Sequence, residues 1–153
     1  IWGFIEDLFN VGGILSYKRG EVNSAASSSR RNSDRTLEIR QNVGRKMDGI
    51  IYCNGTQKEL GAVEIGKTDQ GDTGTKALLD GRKLSKVLKD MLDVLSLKCR
   101  KEEVRKDIRT YGFLISGTRI EFLSCSIFEG RYYRITRERT LDFPARKENA
   151  SRL

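Results

Sequence analysis

Two short apolar runs joined by Asn54 and Gly55 constrain this chain more than any other feature. Lys46 to Cys53 is rich in β-branched and aromatic residues, and Leu60 to Ile65 forms a second such run, ending before Gly66. Asn-Gly between two apolar runs is a strong hairpin signal, because both residues tolerate the positive φ of a tight turn. With a loop from Asn54 to Lys58, Cys53 faces Glu59 and Asp48 faces Glu64. Directly opposed strand residues hold their Cβ atoms about 5 Å apart. Two carboxylates that close repel unless a positive charge lies between them. A hard divalent cation with oxygen ligands is one solution. A two-residue turn would instead pair Asp48 with Gly61, so the expectation depends on loop length. The plain alternative is that both acids are solvated surface groups.

The same stretch carries a competing signal. Gly61 to Thr68 fits G-x-x-x-x-G-K-[ST], the phosphate-binding P-loop. That loop needs a buried strand before it and a helix directly after it. Here Gln57 to Leu60 is too polar for such a strand, and Thr68 to Thr75 holds Gly and Asp where a helix should begin. Ala62 to Ile65 reads as strand, which disfavours nucleotide binding through this string.

Taken as strands, Arg45 to Asp48 and Glu64 to Lys67 resemble the PD-(D/E)XK nuclease superfamily, closest to uncharacterised fungal members with this core. The resemblance covers roughly residues 20 to 137. It implies an α+β fold: a mixed β-sheet with flanking helices and an αβββαβ, restriction-endonuclease-like core. It implies Mg²⁺ (or Mn²⁺) held by Asp48 and Glu64, with Lys67 steadying the phosphate or the attacking water. It also implies a glutamate on the first core helix, matched here to Glu21. The family places one residue between acid and lysine, whereas Ile65 and Gly66 both intervene here. Strict alternation then turns Lys67 to the other face. Gly66 could allow a bulge that swings it back. Alternatively Lys83 or Lys86, on the next helix, supplies the charge, or the site binds nucleic acid without cutting it.

Composition agrees with a polyanion partner. The 29 Lys and Arg against 21 Asp and Glu give a net charge of +8. This favours nucleic acid, DNA before RNA, over a membrane surface. Histidine is absent, which excludes Ser-His-Asp and Cys-His catalysis and His-ligated zinc. Cys53, Cys99 and Cys125 form neither a zinc pattern nor a disulfide framework. They read as small buried residues of an intracellular, reducing location, nuclear if DNA is the partner. No apolar stretch reaches membrane-spanning length. Opening on Ile1 rather than Met, the chain is expected to be a fragment or a trimmed piece.

The chain divides into an N-terminal packing segment (1–17), a nuclease-like core (18–137) and a basic tail (138–153). Ser24 to Arg35 reads as a linker or as a solvated helix continuing to Arg40. Leu84, Val87, Leu88, Met91, Leu92 and Leu95 follow helical spacing. Lys83, Lys86, Asp90 and Asp93 fall on the opposite side. Three strands are expected after a charged link. The last carries Arg131, Arg134 and Arg137 interleaved with Tyr132 and Tyr133. Such a face can hold phosphate and stack on unpaired bases, although an edge strand protected by charge would look the same.

Overall fold

The computed structural model describes residues 2–10, 13–36, 38–66 and 74–142. In chain order the elements are α1 (Trp2–Asn10), β1 (Leu15–Asn23), α2 (Ala25–Arg31), β2 (Lys46–Cys53), β3 (Lys58–Gly66), α3 (Thr75–Lys98), α4 (Glu102–Asp107), β4 (Arg109–Ser116), β5 (Arg119–Phe128) and β6 (Tyr132–Asp142). The fold is α+β. The strands form one six-stranded mixed sheet in sequence order. Only β3 and β4 run parallel, and α3 lies in the connection between them. A parallel pair needs such a crossover, since a tight turn can only reverse the chain.

Each sheet face is covered by a helix. Leu84, Val87, Leu88, Met91 and Leu92 of α3 pack on Ile50, Ala62, Leu114, Leu123 and Cys125. Gly112 of β4 permits the close approach, because a Cβ there would lie 2.8 Å from Leu88 Cδ1. The Thr110 hydroxyl donates to the Leu88 carbonyl at 2.9 Å and pins the helix to the sheet. On the other face, Ile5 and Phe9 of α1 meet Ile51, Val63, Phe113, Ile115 and Ile120. Each buried aliphatic side chain contributes about 1.5–3 kcal/mol by leaving water, so α1 is a packing helix.

Several expectations change in the folded chain. Leu15 to Asn23 is a strand, so the expected boundary at 17/18 falls inside β1. Neither a linker nor a helix to Arg40 occupies the serine-rich segment. α2 stops at Arg31, and Asn32 caps it. Its start is set by a buried acid. The Glu59 carboxylate accepts from the Ser24 hydroxyl at 2.8 Å and from the N–H groups of Ala25 at 2.7 Å and Ala26 at 3.1 Å. Those N–H groups have no partner within the helix. The expected tail boundary at 137/138 also falls inside a strand, since β6 runs to Asp142. The rest of the tail lies outside the described residues.

The hairpin departs from expectation in its loop. Cys53 pairs with Lys58, not with Glu59, and the register slips between Ile51 and Tyr52. The bulge restores the expected register further along, where Ile50 faces Ala62 and Gly49 faces Val63. Gly61 to Gly66 is strand throughout, and the next described helix begins at Thr75. Gly61 is required by packing, because a Cβ there would lie 2.4 Å from the Tyr111 carbonyl oxygen. Of the cysteines only Cys125 is buried, while Cys53 and Cys99 are partly exposed. Burial pushes the Cys125 thiol up to about 11, so it stays protonated and inert. Among the described residues no helix is long and apolar enough to cross a membrane.

Candidate functional site

Three of the expected acids share one row across the sheet. Gly49 pairs with Val63, so the next step along the ladder sets Asp48 beside Glu64. Asp48 Oδ2 accepts from the Ile65 N–H at 2.7 Å, tying its carboxylate to β3. On β1, Arg19 pairs with Gly49 and Val22 with Met47. Gly20 and Glu21 therefore stand as a bulge opposite Asp48. Both carry positive φ, 95° for Gly20 and 49° for Glu21. Glu21 is thus on a strand, not on a helix as the family resemblance implies. The bulge places it, because only a local two-against-one pairing turns the chain here.

Glu64 and Glu21 each have a lysine as counter-charge. Lys83 Nζ, from α3, lies 2.6 Å from Glu64 Oε1. Glu64 is 8% exposed at its side chain and Lys83 35%. Burial pushes the Glu64 carboxyl up, Lys83 pulls it down, and the charges of Asp48 and Asp80 push it up again. Glu64 Oε2 is buried and, among the described residues, has no hydrogen-bond partner. Lys46 Nζ lies 2.9 Å from Glu21 Oε2 on the solvent side. That hydrogen bond holds the Glu21 carboxyl below its ordinary range. Among the described residues no three acids or thiols gather closely enough to enclose a metal.

The lysines divide differently from expectation. Lys67 lies outside the described residues. Lys83 meets Glu64. Lys86 is exposed on the outer side of α3 and shares a groove with Arg30, Arg45, Lys89 and Asp90. Asp90 is not on a solvated face. It is 2% exposed, and Arg30 Nε lies 2.6 Å from its Oδ1. The serine-rich segment folds as α2 across α3 and buries it. Burial raises the Asp90 carboxyl, and Arg30 opposes that rise.

The arginine-tyrosine strand does not present one face. Tyr133 turns toward α3, where its hydroxyl donates to Asp93 and Lys89 Nζ sits 4.3 Å from its ring centroid. Arg137 is on that side too, with Nε 3.6 Å from Glu121 Oε2. Arg134 instead stacks on Phe128 at 4.9 Å. Arg131 is an exposed turn residue whose N–H donates to the Phe128 carbonyl. Strand alternation separates the set, so these residues cannot act as one surface.

Sequence reasoning missed Lys46 and Asp80 as charged neighbours of the row. Lys46 had a usable signal, because it precedes Asp48 by two positions on the same strand. Asp80 precedes Lys83 by three and shares its side of the helix. Compared with known proteins, the chain matches no family model, and no curated protein or solved structure is significantly similar to it.

Proposed function

We propose that this chain is a nuclease-like domain acting on nucleic-acid phosphodiesters with Mg²⁺ or Mn²⁺. The observation that carries the reading is the Lys83–Glu64 contact beside Asp48. It brings two acids and one lysine together from β2, β3 and α3, with the lysine on the helix instead of two residues past the acid. The element order supports a PD-(D/E)XK-type core: helix, three antiparallel strands interrupted by short α2, then a helix and a strand parallel to the third.

The residues fit a hard cation. Both acids offer carboxylate oxygens, and Glu64 Oε2 is a buried oxygen that no donor among the described residues meets. Asp48 and Glu64 would hold the ion. When bound, it would polarise the phosphoryl oxygen and acidify a water. Lys83 fixes the Glu64 carboxylate and places a positive charge where a phosphate would gain negative charge. Glu21, held by Lys46, shapes the electrostatics at the edge of the row. The exposed cations Lys86, Arg131 and Arg134 attract the nucleic-acid backbone over a wider area. Such a role suits an intracellular, nucleic-acid-rich location.

A second reading is a binding domain on the same core that does not cut. Lys83 and the Ile65 N–H each already engage a carboxylate oxygen, as in a site held closed by its own partners. The experiment is cleavage of supercoiled DNA, single-stranded DNA and RNA with Mg²⁺ or Mn²⁺ against chelator. Wild type is compared with Glu64→Ala. Metal-dependent cutting lost in the variant supports hydrolysis. Binding without cutting in both proteins overturns hydrolysis and leaves the second reading.

A further inference from the structure

On the β6 side of α3 lies a cavity of about 450 Å³ that the acid row does not use. Arg82 and Lys83 are adjacent on the helix and so point about 100° apart. Lys83 reaches Glu64, whereas Arg82 lines this cavity together with Lys86, Arg119 and Arg137. Against these four cations the cavity sets one carboxylate, Glu121. Glu121 is 8% exposed. Its oxygens lie 3.7 Å from Arg119 Nε and 3.6 Å from Arg137 Nε. One buried acid thus lies within ion-pair distance of two guanidinium groups and leaves the lining with excess positive charge. Apart from Ser85 and Ser116 the rest of the lining is apolar, including Leu78, Leu114 and Ile135. Leu78 is 46% and Ile135 37% exposed, so apolar surface remains at the mouth.

We propose that this cavity binds one nucleotide of an unpaired strand. Its phosphate meets Arg82 and Lys86, and its base lies on Leu78, Leu114 and Ile135. The volume falls within the roughly 300–1,000 Å³ of small-molecule sites. A phosphate alone has no use for the apolar lining, and an acyl chain has no use for four cations. A nucleotide uses both, since its base has an apolar face and its phosphate takes charge-assisted hydrogen bonds from arginine. The site is separate from the Asp48–Glu64 row and needs no hydrolysis.

The test measures binding in chelator, so its outcome is independent of cutting. A labelled short single strand is titrated by fluorescence polarisation, with AMP, inorganic phosphate and a glutamate-rich peptide as competitors. AMP is expected to compete, and phosphate and peptide to compete far less. Arg82→Glu combined with Lys86→Glu is expected to weaken binding about tenfold or more, while Lys106→Glu, with a single charge reversal on exposed α4, changes it little. Leu78→Ser is expected to weaken AMP and leave phosphate unchanged. Melting curves check that each variant folds. The proposal is overturned if AMP does not bind, if phosphate or the acidic peptide competes as well as AMP, or if the folded double variant binds like wild type.

Discussion

Lys83 Nζ sits 2.6 Å from Glu64 Oε1, joining the first half of α3 to the end of β3. The pair sets a pH dependence. The folded Glu64 carboxyl lies above its ordinary 4.5, chiefly through burial. A carboxyl raised by folding contributes stability below its unfolded pKa and loses it as pH rises through the folded value. Glu64→Gln stays neutral throughout. Its stability relative to wild type is therefore expected to improve between pH 4 and pH 7, read by urea unfolding. A deficit that grows with pH would refute this assignment. Lys83→Ala is expected to cost about 1–2 kcal/mol at neutral pH, a value reduced by the partial exposure of the lysine. It should raise the Glu64 carboxyl further, which carbon-13 NMR titration would detect.

The Arg30–Asp90 contact holds the serine-rich segment on α3. Asp90 is buried on α3, and its nearest counter-charge comes from α2. Removing Arg30 strands a buried carboxylate. Arg30→Ala is expected to cost about 2 kcal/mol, less than a fully buried pair would, because Arg30 is partly exposed. Adding Asp90→Asn should recover much of that loss, since the neutral amide costs less to bury unpaired. A double-mutant cycle checks it, and additive effects would show the pair uncoupled.

Glu59 organises α2 from the opposite side. It accepts three hydrogen bonds, one from a hydroxyl and two from backbone N–H groups. Glu59→Ala is expected to cost about 2–4 kcal/mol by leaving buried donors without acceptors. Hydrogen exchange at Ala25 and Ala26 should accelerate more than at Leu88 of α3. Equal acceleration at all three would mean that α2 does not open separately.

Gly61 separates packing from phosphate binding. A methyl group there meets the Tyr111 carbonyl across the parallel pair. Gly61→Ala is expected to cost about 2–3 kcal/mol and lower the melting temperature. A stable variant that instead lost a saturable ATP-induced rise in melting temperature would revive the P-loop reading.

Local patterning carried much of the fold. The stripe from Leu84 to Leu95 marks α3, and Arg119 to Phe128 is a strand, although its two faces are both largely buried, so it does not alternate buried and exposed. The hairpin and the register that sets Gly49 opposite Val63 were legible because β-branched runs and Asn-Gly act over short range. The loop was misjudged, yet the bulge at Leu60, opposite Ile51 and Tyr52, compensated for it.

Long-range packing decided what remained. Lys18 to Asn23 is polar and holds Glu21, which the resemblance puts on a helix, but it pairs with β2 as the sheet's edge strand, where polar side chains face water. The segment after Ser24 has weak helical propensity. It becomes a helix because Glu59, some 35 residues away, accepts from its first N–H groups. Asp90 looks like a surface acid on a helical wheel, and only α2 crossing over it makes it buried. The choice between Lys67, Lys83 and Lys86 was open in sequence. The packing of α3 brought Lys83 to Glu64 and left Lys86 outside. Sequence by itself determined the periodicity, the hairpin and the basic charge, which depend on neighbours a few positions apart. Tertiary structure decided which charges meet, because the distance between side chains on different elements depends on how those elements pack.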